Sequence, residues 1–254
     1  VFSWKRHMRL PHIVTYFELV VALPFLGKKT EYDESTARKL LNMAAGAYVV
    51  FRAFPAHEEY VLLSVSKKAC DDFGNNCEGY IAVSNVTKEI VIVFRGTRTK
   101  GQLFLQGLNS ILPRLKFFDM GKDYEIVFTG HSLGGALATL AAARTAKQGL
   151  RANEKITVYT YGEPRVGDAL FATNYDSMIK DSYRVVFRRD IVPHLPACAK
   201  NKSWLGDSET SRPCDVNAVN EPYHQGTEIW YPDSMEPGSH YIECTGDPRG
   251  EDFT

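Results

Sequence analysis

The strongest chemical signal in the sequence is a serine held between glycines, Gly130-His131-Ser132-Leu133-Gly134. It follows the apolar run 124–129 and precedes residues 133–148, a stretch of mostly small residues stopped by Gly149. A strand that turns at once into a helix leaves such a serine strained, with its hydroxyl projecting, as a nucleophile elbow requires. Gly130 and Gly134 remove β-carbons that would collide in so tight a turn. Gly135, Ala136 and Ala138 let the helix approach the strands closely. The serine hydroxyl is a weak nucleophile, so it needs a base to take its proton and a carboxylate to orient that base. In this arrangement the chain order is serine, acid, histidine. Asp190, directly after the strand-like run 183–188, is the expected acid, and Pro193 and Pro196 keep the following segment extended. His224, in the loop 222–226 that leads into the strand-like run 228–231, is the expected base. His240 is its rival. His131 lies inside the elbow, His194 is too near Asp190 to come from a separate loop, and His57 precedes the nucleophile. Asp207 and Asp215 are rival acids.

Attack on an ester carbonyl creates an oxyanion that needs two or more donors. The Leu133 N–H, first in the helix, supplies one. Phe94-Arg95-Gly96-Thr97 ends an apolar strand, and Gly96 would let the backbone turn toward Ser132 so that Thr97 offers its N–H and hydroxyl. A plain strand-ending turn with Arg95 solvated is the alternative for this motif.

The elements that must hold these groups can be read from periodicity. Residues 30–48 carry Ala37, Leu40, Leu41, Ala44 and Ala45 at helical spacing. Strand-like runs follow at 60–65, 80–84 and 89–94, the last two joined by Asn85-Val86-Thr87-Lys88 as a hairpin. The run 90–94 is continuously apolar, which suits a strand covered on both faces. Thereafter strands at 124–129, 156–161 and 183–188 alternate with helices at 133–148 and 169–180, and beyond Asp190 loops dominate. Such alternation implies parallel strands with helices on the faces, an α/β fold. No linker or repeat divides residues 1–254, so one domain is expected.

The chain has 254 residues, with 30 basic and 30 acidic side chains, so its formal net charge is zero. That balance gives no excess of positive charge for neutralising phosphates, and nucleic acid is not an expected partner. With 44% hydrophobic residues there is ample surface for a core, yet no run of 18 residues is free of charge and proline, so no transmembrane segment is expected. Five cysteines stand at 70, 77, 198, 214 and 244. None forms C-x-x-C, and no metal site is expected. Cys70 with Cys77, and Cys198 with Cys214, bracket polar excursions that disulfides could close, which leaves Cys244 odd. The sequons at Asn85 and Asn201 are possible glycosylation sites, and together with the cysteines they favour the secretory route. Residues 1–29 are poorly readable. Lys5, Arg6, His7 and Arg9 precede an apolar run that resembles a signal peptide, but Glu18 interrupts it, and a retained amphipathic segment is preferred.

From about Tyr48 to Tyr231 the sequence resembles the class 3 lipases, the fungal-type triacylglycerol lipase family of the α/β-hydrolase fold. The pieces that carry the resemblance are the runs 92–97, 128–138, 161–167, 190–196 and 224–230, in the family's order. The resemblance implies a central, mostly parallel sheet, Ser132 as nucleophile, Asp190 as acid, His224 as base, and Thr97 with Leu133 in the oxyanion hole. It implies a secreted enzyme, with no cofactor, acting on a lipid ester at a lipid–water interface. Triacylglycerol is the expected substrate, with a phospholipase A1, a soluble esterase or a silent lipid-binding protein as alternatives, and a monomer is favoured. The segment 98–129 is shorter than the family's lid region, so the lid is either reduced or partly missing from the chain.

Overall fold

The computed structural model describes residues 30–48, 59–69, 76–96, 123–202 and 213–244. Its centre is an eight-stranded sheet in the order β1-β2-β3-β4-β5-β7-β9-β10. The strands are β1 (Val61–Ala69), β2 (Asn76–Ser84), β3 (Glu89–Phe94), β4 (Glu125–His131), β5 (Ile156–Tyr161), β7 (Asp181–Phe187), β9 (Thr227–Tyr231) and β10 (Ile242–Cys244). The middle five, β3 to β9, run parallel, while β1, β2 and β10 are antiparallel to their neighbours. Burial of five consecutive residues in β3, from Ile90 to Phe94, follows from helices on both faces. The hairpin expected over 85–88 is present, with Ser84 opposite Glu89.

One face is covered by α1 (Glu34–Gly46), through Ala37, Leu40, Met43 and Ala44. The helix is shorter than its apolar spacing predicts because Asp33 caps it, with an extended backbone and a side chain that accepts from the Thr36 N–H at 2.7 Å. This face is rich in tyrosine. Tyr32, Tyr159, Tyr161, Tyr183 and Tyr231 are buried there. Their hydroxyls are bonded: Tyr32 to Tyr231 at 3.0 Å, and Tyr161 to the Ala37 carbonyl. Burial accordingly raises their ionisation above the ordinary phenol range.

The opposite face carries α2 (Leu133–Lys147) and α3 (Ala169–Met178). The small residues of α2 let it lie against β3, β4 and β5, with Ala138, Ala141 and Ala142 buried on Ile92, Phe128 and Val158. A two-stranded ribbon, β6 (Gly167–Asp168) with β8 (Pro222–Tyr223), ties the start of α3 to the segment before β9. The disulfide Cys198–Cys214 closes the base of the polar excursion.

Beyond Asp190 the structure is more ordered than the sequence suggests. β8 and β10 escaped the reading because two or three residues are too few to show a period. Residues 1–29, Cys70, most of 98–129 and the excursion 203–212 lie outside the described residues. Cys244, at the sheet edge, is buried, and that burial raises its thiol to about 12.

Leu40 is fully buried between α1 and the sheet. Leu40→Ala is expected to lower unfolding free energy by about 2–5 kcal/mol, through lost burial and a residual cavity. Denaturant unfolding checks this, and a loss under about 1 kcal/mol would mean that α1 does not pack as described.

Candidate active site

Ser132 stands between β4 and α2 with φ 56° and ψ −129°, in the left-handed half of backbone space that side chains other than glycine rarely enter. Its N–H donates to the Tyr161 carbonyl at 2.9 Å, and its own carbonyl accepts from the Gly135 N–H at 2.9 Å. The glycines explain how so sharp a turn closes. A β-carbon at Gly130 would lie 2.3 Å from the Gly134 carbonyl, and one at Gly134 would lie 2.3 Å from the Phe94 carbonyl. The second contact also brings the start of α2 against the end of β3, beside Gly96. The Leu133 N–H is the first of the helix and has no intrahelical acceptor, so it can serve an oxyanion. Thr97, the expected second donor, lies outside the described residues.

Asp190 leaves the end of β7 in a tight turn, its N–H bonded to the Phe187 carbonyl at 3.2 Å and its Oδ1 accepting from the Val192 N–H at 3.0 Å. Its Oδ2 reaches toward the elbow. A β-carbon built at Gly162, just past β5, would be 2.6 Å from that oxygen and 3.9 Å from His131 Nε2. The His131 ring is thus near the carboxylate. Burial lowers its proton affinity and Asp190 opposes that shift. Its Nδ1 lies 3.1 Å from the Tyr48 hydroxyl, so the ring is already engaged.

The structure does not bring His224 to Ser132. His224 is 2% exposed, and its Nε2 donates to the Pro193 carbonyl at 2.8 Å. Among the described residues no hydrogen bond joins it to Ser132 or Asp190. Burial holds its proton affinity well below the usual imidazole range, and the nearby Arg184 and Arg165 lower it further. Through its bond to the Pro193 carbonyl, His224 fastens the turn that carries Asp190. Arg165 does the same from the other side, with its N–H on the Leu195 carbonyl at 2.8 Å and Nη1 on the carbonyls of His194 and Pro196 at 2.6 and 2.9 Å. The sequence signal for this role was present in the run 161–167, but nothing in the residue types said which carbonyls Arg165 would hold.

Strand register places the rival histidine differently. Tyr183 pairs with Thr227 and Phe187 with Tyr231, so β9 runs toward the same edge as the ends of β4, β5 and β7. His224 precedes β9 and enters from its amino side. β10 starts at the far end, with Ile242 opposite Trp230. His240, two residues earlier and exposed, therefore belongs to the carboxyl edge that carries Ser132 and Asp190. In open α/β sheets that edge is where ligands bind. The His240 loop is fastened to α1, through Gly238 N–H to Glu34 Oε1 at 3.0 Å and Arg38 Nη2 to the Met235 carbonyl at 2.7 Å. Among the described residues His240 makes no hydrogen bond to Ser132 or Asp190; catalytic bonds are commonly long in unliganded enzymes.

Below the elbow lies a buried polar layer. Glu163 accepts from Thr160 Oγ1 at 2.5 Å and from Gln225 Nε2 at 3.0 Å, and burial raises its carboxyl above the ordinary range. Arg184 pairs with Glu228 at 3.2 Å and bonds the Gln225 carbonyl at 2.7 Å. Of the other candidates, Asp215 accepts from the Asn217 N–H in a turn beside the disulfide, and Asp207 and His57 fall outside the described residues. Arg95 is buried and paired with Glu78, not solvated. Asn85 is exposed in the hairpin turn at the opposite edge of the sheet, while Asn201 is half-buried near the disulfide.

The chain is similar to several known lipases. The lipase (class 3) family model matches residues 106–200. A lipase of Caenorhabditis elegans is 42% identical over 257 residues, covering 88% of this chain and 73% of that protein. A secreted mono- and diacylglycerol lipase of Fusarium solani is 33% identical over 144 residues, 46% of this chain and 42% of its own. The solved triacylglyceride lipase of Rhizomucor miehei superposes with a TM-score of 0.65 over 86% of this chain and 87% of that one, at 24% identity, and shares the fold. The elbow, the parallel sheet and these likenesses together show that the chain belongs to the class 3 lipase family of α/β-hydrolases.

Proposed function

We propose that the protein is a secreted serine hydrolase that cleaves carboxylic esters of lipids, triacylglycerol foremost, through an acyl-enzyme. The observation that carries the reading is the strained Ser132 backbone at the carboxyl edge of the sheet, with Asp190 beside it. Ser132 Oγ attacks the ester carbonyl, while the Leu133 N–H and Thr97 receive the oxyanion. The base is His240 in place of His224. Its loop reaches the correct edge and its ring is open to solvent, whereas the His224 ring is buried and held by Pro193. His240 takes the serine proton and passes it to the leaving alcohol, Asp190 orients the imidazole, and water then releases the acid by the same route. Secretion is supported by the Cys198–Cys214 disulfide and by the exposed sequon at Asn85. The same sequon would carry any glycan at the edge away from Ser132.

Initial rates on emulsified long-chain triacylglycerol, phosphatidylcholine and a soluble short-chain ester test the substrate. The emulsion is expected to be preferred, with Ser132→Ala lowering kcat by about 10⁴-fold or more. Preference for phosphatidylcholine would make the protein a phospholipase, activity confined to the soluble ester an esterase, and hydrolysis that survives Ser132→Ala would overturn the serine mechanism.

The two histidines should separate cleanly. His240→Ala is expected to cost about 10³- to 10⁴-fold in kcat while leaving stability within about 0.5 kcal/mol, as for an exposed side chain. His224→Ala should mainly destabilise the fold and retain far more activity. Because His224 stays neutral in the folded chain while the unfolded chain takes up a proton, wild-type stability should fall as pH drops below about 6.5, and His224→Ala should weaken that dependence. Activity profiles and unfolding at several pH values check both, and the reverse assignment of losses would restore His224 as base.

A further inference from the structure

The geometry points to Tyr48 as a positioning residue that locks the end of β3, at Gly96, to the nucleophile elbow, at His131. This inference rests on the proposed serine mechanism and deepens it. Tyr48 lies just beyond the end of α1, its N–H bonded to the Ala45 carbonyl at 3.0 Å. The Gly96 N–H donates to the Tyr48 oxygen at 3.1 Å. The same oxygen lies 3.2 Å from the His131 carbonyl and 3.1 Å from His131 Nδ1. A phenol has one proton and can accept as well as donate, so it takes the Gly96 N–H and gives its proton to His131. The rings of Tyr48 and His131 meet edge to face with centroids 5.8 Å apart.

Two further features fit the site to this one hydroxyl. A β-carbon at Gly96 would stand 2.2 Å from the Tyr48 oxygen, so the absence of a side chain there is what lets the phenol in. The carbonyl of the same glycine accepts from Arg95 Nε at 3.4 Å, and the Arg95 guanidinium is itself pinned by Glu78. Gly96 is therefore held at both its N–H and its carbonyl immediately before Thr97, the proposed second donor. On the other side, His131 is the residue directly before Ser132, and Leu133 N–H follows it. Tyr48 bridges the end of β3 and the elbow just past the point where the β3–β4 pairing ends, at Phe94 and Gly130. An oxyanion grows shorter bonds than the ester carbonyl it replaces, so a loosened separation should weaken the transition state more than the bound substrate.

The experiment compares wild type, Tyr48→Phe, Ser132→Ala and the core variant Leu40→Ala on a soluble short-chain ester, with thermal midpoints for each. Tyr48→Phe removes only the hydroxyl. The expected result is a kcat lower by about 10- to 100-fold with KM within about threefold, at a temperature where the variant is fully folded. Leu40→Ala should show the opposite pattern, a lower midpoint with kcat per folded molecule unchanged. Wild-type kcat and KM in Tyr48→Phe, or a loss no greater than its unfolded fraction, would overturn the inference while leaving the serine mechanism standing. A wild-type protein without hydrolysis, or one whose hydrolysis survives Ser132→Ala, would remove both.

Discussion

Ser132 sits in a backbone conformation that costs on the order of 1–3 kcal/mol, and the site can keep it only because the surrounding chain leaves no other path from β4 into α2. That constraint reaches outward. The turn closes because no side chain stands at Gly130 or Gly134, and α2 then lies close on the sheet because its buried face is mostly alanine, glycine and threonine, with Leu137. Burial of that face on β3, β4 and β5 supplies the free energy that offsets the strain. The strained Ser132 backbone, the start of α2 at Leu133 and the close approach of the β3 end belong to one tight passage.

The Asp190 loop needs different support, since a loop does not hold itself at a fixed height above a sheet. Here the turn after β7 is fastened by carbonyl contacts from Arg165 and His224, and the layer beneath is polar, with Glu163, Thr160, Gln225, Arg184 and Glu228 bonded to one another. A buried network of this kind is costly when broken, because each member left alone loses its solvation. It gives rigidity to the region between α2 and the strands β5, β7 and β9. His224, which reads as chemistry in the sequence, is buried in the fold and donates to the Pro193 carbonyl.

Much of this arrangement was legible in the residues. The buried strands announce themselves as continuous apolar runs, and the elbow is a short-range pattern whose spacing carries its own mechanical reason. Asp190, the proposed acid, stands out in the sequence because it follows a strand directly, and the structure places it just past the end of β7. The proposed base was not legible, because a histidine before β9 and one before β10 look alike until the register shows that the two strands are entered from opposite edges. β10 is three residues long and has no period of its own. Tyr48 was invisible for a related reason: its partners lie 48 and 83 positions away, and one of them is a backbone N–H. Arg95 was readable as a strand-end residue, but its ion pair with Glu78 depends on the antiparallel pairing of β2 with β3.

The central claim is that Ser132 forms a covalent acyl-enzyme. Treatment with an active-site-directed alkyl phosphonate, followed by peptide mass spectrometry, tests it without depending on the choice of substrate. The account predicts one adduct per chain, on Ser132, accumulating in step with the loss of ester hydrolysis. An adduct on another residue, or hydrolysis that persists after Ser132 is fully modified, would contradict it.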